Sequence, residues 1–196
     1  NSTLTNLTNS GTISGTATNN NGLGVNVDSS TLTTLTNTGT ISANAVNAAL
    51  GLYVVGSTLT TLTNSGTISG TANNSNGVGV LVDDGSTFTN LTNSGTISGT
   101  AGDEGYGVGV FTSSTLTNLV NSGTISGTAN NDGGYGVIVT GTSTLTNLTN
   151  TGTITGAATT NAFDIKVGSA SNLVNLNNLQ SDLSYNGRLP RNYKTI

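Results

Sequence analysis

A pentad, Asn-Ser/Thr-Gly-Thr-Ile, recurs six times along this chain of 196 residues, with its Asn at positions 9, 37, 64, 93, 121 and 150. The successive intervals are 28, 27, 29, 28 and 29 residues. Self-similarity at a nearly fixed period of this size indicates a repeat protein, in which each unit packs mainly on its neighbours. A decayed seventh copy occupies residues 172–178. We therefore predict one repeat domain over residues 1–178 and a C-terminal cap or linker at 179–196, leading towards a region further downstream.

Within each unit, the apolar residues favour strands over helices. In the first unit Leu23, Val25 and Val27 alternate with other residues, and this period of two is typical of a strand. Asn, Ser and Gly cluster between the apolar stretches, and these residues favour turns. The pattern predicts an all-β fold, a right-handed parallel β-helix with about 28 residues per coil, six full coils and a degenerate seventh.

Winding the repeat into coils places equivalent residues above one another. Two inward columns follow directly from the repeat, and a third is less regular because the connections vary in length. The expected Leu/Phe column is Leu4, Leu32, Leu59, Phe88, Leu116, Leu145 and Leu173. The expected Ile column is Ile13, Ile41, Ile68, Ile97, Ile125 and Ile154. The expected Val column includes Val27, Val55, Val82 and Val139.

Composition excludes several classes of function. The chain has no Cys and no His, so disulfides, thiol nucleophiles and Ser-His-Asp triads are ruled out, and zinc sites of the usual Cys/His type with them. With four Lys and Arg residues and a net charge of −4, it is poorly suited to nucleic acid. The longest apolar run, 48–56, is too short to span a bilayer. We expect no catalytic, cofactor-binding or metal-binding residues, no nucleic-acid partner, and no direct membrane insertion of this segment.

The invariant Asn of the pentad has two interpretations. It could present a row of ligand-binding amides, or it could form a structural ladder in which each amide bonds the next coil. We favour the structural ladder. Its predicted members are Asn9, Asn37, Asn64, Asn93, Asn121 and Asn150.

Pairs of Thr flank the inward Leu or Phe and are therefore expected to face outward. Thr is also a common strand residue, so such columns can arise from regular repetition alone. A flat lattice of Thr-x-Thr pairs resembles the ice-binding face of some β-solenoids, which makes ice binding an alternative function. The candidate face comprises Thr3, Thr5, Thr31, Thr33, Thr58, Thr60, Thr87, Thr89, Thr115, Thr117, Thr144 and Thr146.

A second candidate surface lies between the expected inward valines. Strict alternation predicts an outward apolar column that could mediate lateral contact with another copy or a partner. A loop folded over the same residues would be the structural explanation. The predicted contact residues are Val54, Leu81, Phe111 and Ile138.

The unit Leu-Thr-Asn-Leu-Thr-Asn-Ser-Gly-Thr-Ile-Ser-Gly resembles the coils of type V autotransporter passenger domains. The tail, residues 176–196, resembles the stretch that joins such a stalk to the region before its membrane anchor. The resemblance implies a β-helix displayed outside a Gram-negative cell, acting in adhesion, aggregation or biofilm formation. Partners would be other copies of the chain or molecules of the host or cell surface.

These observations predict a non-enzymatic extracellular stalk or adhesin that acts in surface display or self-association. A polysaccharide lyase or hydrolase is a further alternative, because β-helices often carry such sites. Those enzymes usually combine acids with Lys, Arg or His in one groove, whereas the six full coils contain a single cation, Lys166.

Overall fold

The computed structural model describes residues 2–180, 182–187, 190 and 192–195, and their regular structure consists of strands. The first three coils contain β1 (Thr3–Asn9), β2 (Thr12–Ala17), β3 (Gly22–Asp28), β4 (Thr31–Asn37), β5 (Thr40–Ala45), β6 (Ala49–Val55), β7 (Thr58–Asn64), β8 (Thr67–Ala72) and β9 (Asn76–Asp83). The next three coils contain β10 (Thr87–Asn93), β11 (Thr96–Ala101), β12 (Glu104–Val110), β13 (Thr115–Asn121), β14 (Thr124–Ala129), β15 (Gly133–Val139), β16 (Thr144–Asn150), β17 (Thr153–Ala157) and β18 (Asn161–Val167). They are followed by β19 (Asn172–Asn178), β20 (Tyr185–Asn186) and β21 (Asn192–Thr195).

Each full coil contributes one strand to each of three parallel sheets. The first sheet runs β1-β4-β7-β10-β13-β16-β19-β21, the second β2-β5-β8-β11-β14-β17, and the third β3-β6-β9-β12-β15-β18-β20. Equivalent residues of successive coils are paired, as in Ile68↔Ile97 and Ile97↔Ile125. The predicted parallel β-helix with coils of about 28 residues is confirmed. The seventh coil is degenerate, because among the described residues it adds a strand to the first and third sheets but none to the second.

The core contains five stacked columns of apolar side chains. One of them, from the third sheet, consists of Val25, Leu52, Val80, Val108, Val137 and Ile165. The Leu/Phe and Ile columns have the predicted members. Most of their side chains in the interior coils are fully buried, including Leu59, Phe88 and Ile97 at 0% exposure. A second column from the first sheet contains Leu7, Leu35, Leu62, Leu91, Leu119, Leu148 and Leu176. Such burial contributes roughly 1.5–3 kcal/mol per large aliphatic side chain, so the stability of each coil depends on stacking.

Neither the first nor the third sheet alternates strictly between core and outside. In β4 the core residues are Leu32 and Leu35, so the two Thr residues between them both lie outside. In β6 two adjacent residues, Gly51 and Leu52, face the core: a Cβ added to Gly51 would lie 2.9 Å from Cγ2 of Ile68. This irregularity recurs in every full coil, so the columns remain in register.

The predicted Val column was wrong in the second coil. The column that the register defines is Val27, Val54, Val82, Val110, Val139 and Val167. Val55 instead pairs with Asp28 and Asp83 in the neighbouring coils. The connection before β6 is one residue shorter than the one before β3, and this shifts the second coil by one position.

Residues of the predicted cap or linker segment continue two of the sheets. β20 pairs with β18, and β21 pairs with β19. Leu183 and Tyr185 are partly buried against the main core. Positions 181, 188, 189, 191 and 196 of that segment lie outside the described residues.

Candidate functional site

The Asn residues of the pentad form a buried ladder along the turn between the first and second sheets. In each step the side-chain Nδ2 of one Asn donates to Oδ1 of the Asn in the next coil at 2.8 Å. The ladder extends one step beyond the predicted members, from Asn150 to Asn178. From Asn37 to Asn178 these side chains are 0–1% exposed.

Each ladder amide also holds the local turn. Nδ2 of Asn93, for example, donates to the carbonyl of Gly95 at 3.2 Å and to that of Thr124 in the next coil at 3.1 Å. Oδ1 of Asn93 meanwhile accepts from Asn64. These hydrogen-bonding groups are therefore engaged within the protein, and their burial favours a structural role over ligand binding.

A Ser ladder that the sequence reading missed runs along the turn between the third and first sheets. The backbone N–H of each Ser donates to Oγ of the Ser one coil further on, at 2.9–3.3 Å. The residues in this ladder are Ser2, Ser30, Ser57, Ser86, Ser114, Ser143 and Ser171. The signal in the sequence was a Ser one residue before the first Thr of every unit except the last, where Ser precedes Asn172.

A second Asn ladder, also missed, lies on the outer face of the first sheet. Asn118 donates to Asn90 at 2.8 Å, Asn147 to Asn118 at 2.8 Å, and Asn175 to Asn147 at 2.6 Å. Its donors point back towards the preceding coil, opposite to the buried ladder. In the second and third coils Thr34 and Thr61 occupy this position, which hid the column from a search for invariant residues.

The predicted Thr residues lie in columns on the outer face of the first sheet. One column pairs Thr3, Thr31, Thr58, Thr87, Thr115 and Thr144 in register. Most members of the face are half-buried, while Thr3, Thr5 and Thr87 are exposed. Because two consecutive residues of each strand lie outside, the face has four columns, made mostly of Thr and Asn, and Val120 stands in one of them at 42% exposure.

The predicted lateral contact residues do not form an exposed column. Val54 belongs to the core and is 0% exposed, whereas Leu81 and Ile138 are buried at 8% and 5%. Phe111 follows β12 and packs over Gly109, the residue that occupies the outward position in that coil. The outward column is therefore Asn26, Tyr53, Leu81, Gly109, Ile138 and Lys166.

Tyr53, Leu81 and Ile138 of this column belong to a second apolar cluster on the third sheet, on the face opposite the main core. The rings of Tyr106 and Tyr135 stack with centroids 5.9 Å apart, and those of Tyr135 and Phe163 stack at 6.5 Å. Phe111 meets Tyr106 edge-on at 5.5 Å. Mutual packing leaves Tyr106 and Tyr135 only 3% and 1% exposed. The cluster consequently covers its own sheet and presents little apolar surface to a partner.

The charged groups near this cluster interact with tyrosines. Lys166 donates from Nζ to Oη of Tyr135 at 3.0 Å and lies 4.5 Å from the ring centroid, a cation–π contact. The Tyr106 hydroxyl donates to Glu104, and burial followed by this hydrogen bond raises the pKa of Tyr106. Burial and then the neighbouring Asp83 raise the pKa of Tyr53. Both shifts favour the neutral phenol over the phenolate.

Two features of the described residues concern metal ligation and the spanning of a bilayer. Their His, Cys, Asp and Glu side chains form no group of three or more that could hold a metal ion. In the same part of the chain, no helix is long and apolar enough to cross a bilayer.

Comparisons with protein-family models, curated proteins and solved structures gave no match to this chain. Its class is accordingly defined by the fold: a β-solenoid of three parallel sheets stabilised by side-chain ladders.

Proposed function

We propose that this chain is a non-enzymatic extracellular stalk of a bacterial surface protein of the autotransporter type. Its role would be surface display, with adhesion or self-association through other copies or through molecules of the host or cell surface. The observation that carries this proposal is the buried Asn ladder, which runs from Asn9 to Asn178 through seven coils. A structural or adhesin-like role fits a β-solenoid of this kind.

The ladders support a spacer role because they use recurring polar groups to join coils. The buried amides and the Ser hydroxyls link each coil to the next, which favours a stiff rod over a flexible tether. Parallel strands lie about 4.8 Å apart, so every added coil extends the rod by that distance.

Inserting one additional coil tests the spacer role. A second copy of residues 93–120 placed after Val120 should lengthen the rod by about 4.8 Å with no loss of ordered structure. Small-angle X-ray scattering measures the maximum dimension of the parent and extended proteins. If the protein with the inserted coil folds but has the same maximum dimension as the parent, the spacer role is contradicted.

Display on a Gram-negative cell tests the surface role. Cells carrying the chain should settle or adhere faster than cells carrying only the export machinery. A variant with both Asn93 and Asn121 changed to Ala, matched for surface level, serves as the control because it breaks three successive steps of the buried ladder. Equal settling and adhesion of all three strains would contradict the adhesive part of the proposal.

Ice binding is the second candidate, favoured by the in-register Thr columns of the first sheet. Thermal hysteresis of the parent chain is the measurement, and Thr60→Tyr with Thr89→Tyr should abolish it. The matched control is Thr67→Tyr on the second sheet, which should leave it unchanged. A parent chain without thermal hysteresis would end this candidate.

A further inference from the structure

An open groove runs along the turn between the third and first sheets, across four successive coils. It encloses about 390 Å³, and Ser, Thr and Gly residues line it. Ser57 in this lining is fixed from two sides, because its Oγ accepts from the N–H of Ser30 at 2.9 Å and donates to the carbonyl of Val55 at 2.7 Å. Thr31 and Thr58, paired in register, extend the lining onto the outer face of the first sheet. The groove is therefore a polar recess with an uncharged lining on a fixed backbone.

The backbone of the same turn is strained. Among the described residues, every non-glycine residue with a left-handed φ lies at this turn. These residues are Ser29, Asp84, Thr112, Ser113 and Thr142, with φ between 47° and 63°. A Cβ disfavours this conformation, most of all in β-branched Thr, and such strain concentrates where proteins bind ligands. The strain points to recognition at this turn.

Gly56 opens the groove in the second coil. Ser29, Gly56 and Asp84 each follow the last residue of a third-sheet strand, and those last residues pair in register. All three have a left-handed φ, of 47°, 54° and 54°, so the conformation does not require glycine here. Apart from its chain neighbours, the atoms nearest to a Cβ built on Gly56 are Oγ of Ser29 at 3.8 Å and Oδ2 of Asp84 at 3.9 Å. The chain thus has room for a side chain at this position and leaves it empty.

The charges around the groove select the class of ligand. Asp84 lies on one side of Gly56, and on the other side Ser29 donates to Oδ1 of Asp28 at 2.8 Å. No Lys or Arg precedes Lys166 in the sequence. A phosphate, sulfate or carboxylate ligand would therefore meet like charges without a compensating cation. Sugar hydroxyls, in contrast, can donate to carboxylates and can both donate to and accept from Ser and Thr hydroxyls.

We infer that this groove binds a neutral glycan and that Gly56 leaves the space for one of its sugar rings. The inference rests on the adhesive part of the proposed function and gives the partner a chemical class. Equivalent residues recur about every 4.8 Å along the groove. A linear saccharide parallel to the rod would meet Ser and Thr hydroxyls in each coil that it crosses.

Titration of the isotope-labelled 196-residue chain, followed by nuclear magnetic resonance, tests the inference. The probes are lactose, cellobiose, maltose and N,N′-diacetylchitobiose, each added alone. At least one of these neutral disaccharides should shift the amide signals of Thr31, Gly56 and Thr58 selectively and saturably. Glucuronate and spermidine should leave the same signals unshifted. No selective response to any of the four sugars, or a response to glucuronate or spermidine in their place, would overturn the inference.

Variants of the lining test where the sugar binds. Gly56→Asn fills the space with a residue that tolerates left-handed backbone, so affinity for the disaccharide that binds the parent should fall about tenfold or more. Thr58→Val removes a lining hydroxyl at nearly constant shape and should weaken binding about fivefold, as expected for one hydrogen bond. Thr60→Val, on the same strand but outside the lining, is the matched control and should bind like the parent. Parent-like affinity of a folded Gly56→Asn variant would overturn the inference.

Failure of this inference can be told apart from failure of the proposed function. If the groove binds no sugar while displayed chains still make cells settle or adhere, the inference is overturned and the adhesive role stands.

Discussion

Truncating one buried ladder amide should destabilise the protein far more than truncating an outer one. Asn93→Ala removes two bonds within the ladder and two to backbone carbonyls. Each hydrogen bond contributes about 1 kcal/mol net, and Oδ1 of Asn121 is also left buried without its donor. The expected loss in the free energy of unfolding is therefore about 3–5 kcal/mol. Asn118→Ala also removes two ladder bonds, but at a part-buried site that water can reach, so about 1 kcal/mol is expected.

Guanidinium unfolding followed by circular dichroism gives both values. The decisive quantity is the difference between Asn93→Ala and Asn118→Ala, because both changes remove the same atoms from an Asn ladder. If the two variants lose the same free energy of unfolding, the buried ladder does not contribute more to stability than the outer one, and the reasoning is refuted.

The same site allows a pH test with the sign fixed in advance. In Asn93→Asp the carboxylate would face Oδ1 of Asn121 and the carbonyls of Gly95 and Thr124, which are all acceptors. Burial and these acceptors should raise its pKa above the unfolded value of about 3.9. The folded state then favours the protonated acid, so the variant should lose stability as pH rises from about 4 towards 7. Equal stability at pH 3 and pH 7, relative to the parent, would contradict this.

Three further predictions concern packing and titration. Gly107→Ala should destabilise the protein by about 1–3 kcal/mol, because its Cβ would lie 2.5 Å from a core Ile methyl, whereas the Cβ of Gly109→Ala meets only side chains at 3.0 Å or more. Equal losses of stability for the two variants in thermal unfolding would be inconsistent with this packing. Val54→Ser should lower the free energy of unfolding by about 2–4 kcal/mol and Tyr53→Ser by less, since only Val54 lies in the main core. The reverse order in denaturant unfolding would favour strict alternation, with Val54 facing outward. Burial raises the pKa of Tyr185 from 10.0 to about 12, so the contribution of its neutral form to stability should be present below pH 10 and be lost between pH 10 and 12. Ultraviolet titration of the parent and of Tyr185→Phe should isolate this late ionisation, and an ordinary tyrosine pKa would contradict the burial of Tyr185.

The repeat predicted the fold because its period and its inward Leu and Ile positions survive in every full coil. Stacking needs only that equivalent residues return after one turn, and the pairing of Ile68 with Ile97 meets that condition. The buried Asn ladder followed for the same reason, since an invariant amide in a stacked turn can bond the next one.

The lateral column could not be predicted by alternation alone. Two adjacent inward residues, such as Gly51 and Leu52, shift the outward position from Val54 to Tyr53. Nothing in a strand of apolar residues marks where alternation breaks. The covering of Gly109 by Phe111 depends on the path of the chain after β12, which also carries no local sequence signal.

The ends of the sheets were equally hidden. Gln180 hydrogen-bonds the backbone of Ile154, and Asp164 hydrogen-bonds that of Gly156. Gln180 is the sole Gln of the chain, and Asp164 replaces a glycine that the preceding coils share, so neither residue recurs with the repeat. Their roles emerge only when β17 is seen to lack a next strand.

Methyl contacts between isoleucines test the winding most directly. With Ile methyl groups labelled, nuclear Overhauser spectra should connect Ile97 to Ile68 and Ile125, its neighbours in the second sheet. No cross-peak should link Ile97 to Ile41, two coils away and about 9.6 Å distant. A missing contact between Ile68 and Ile97 in the folded chain, or a direct contact between Ile97 and Ile41, would contradict the one-coil-per-repeat structure.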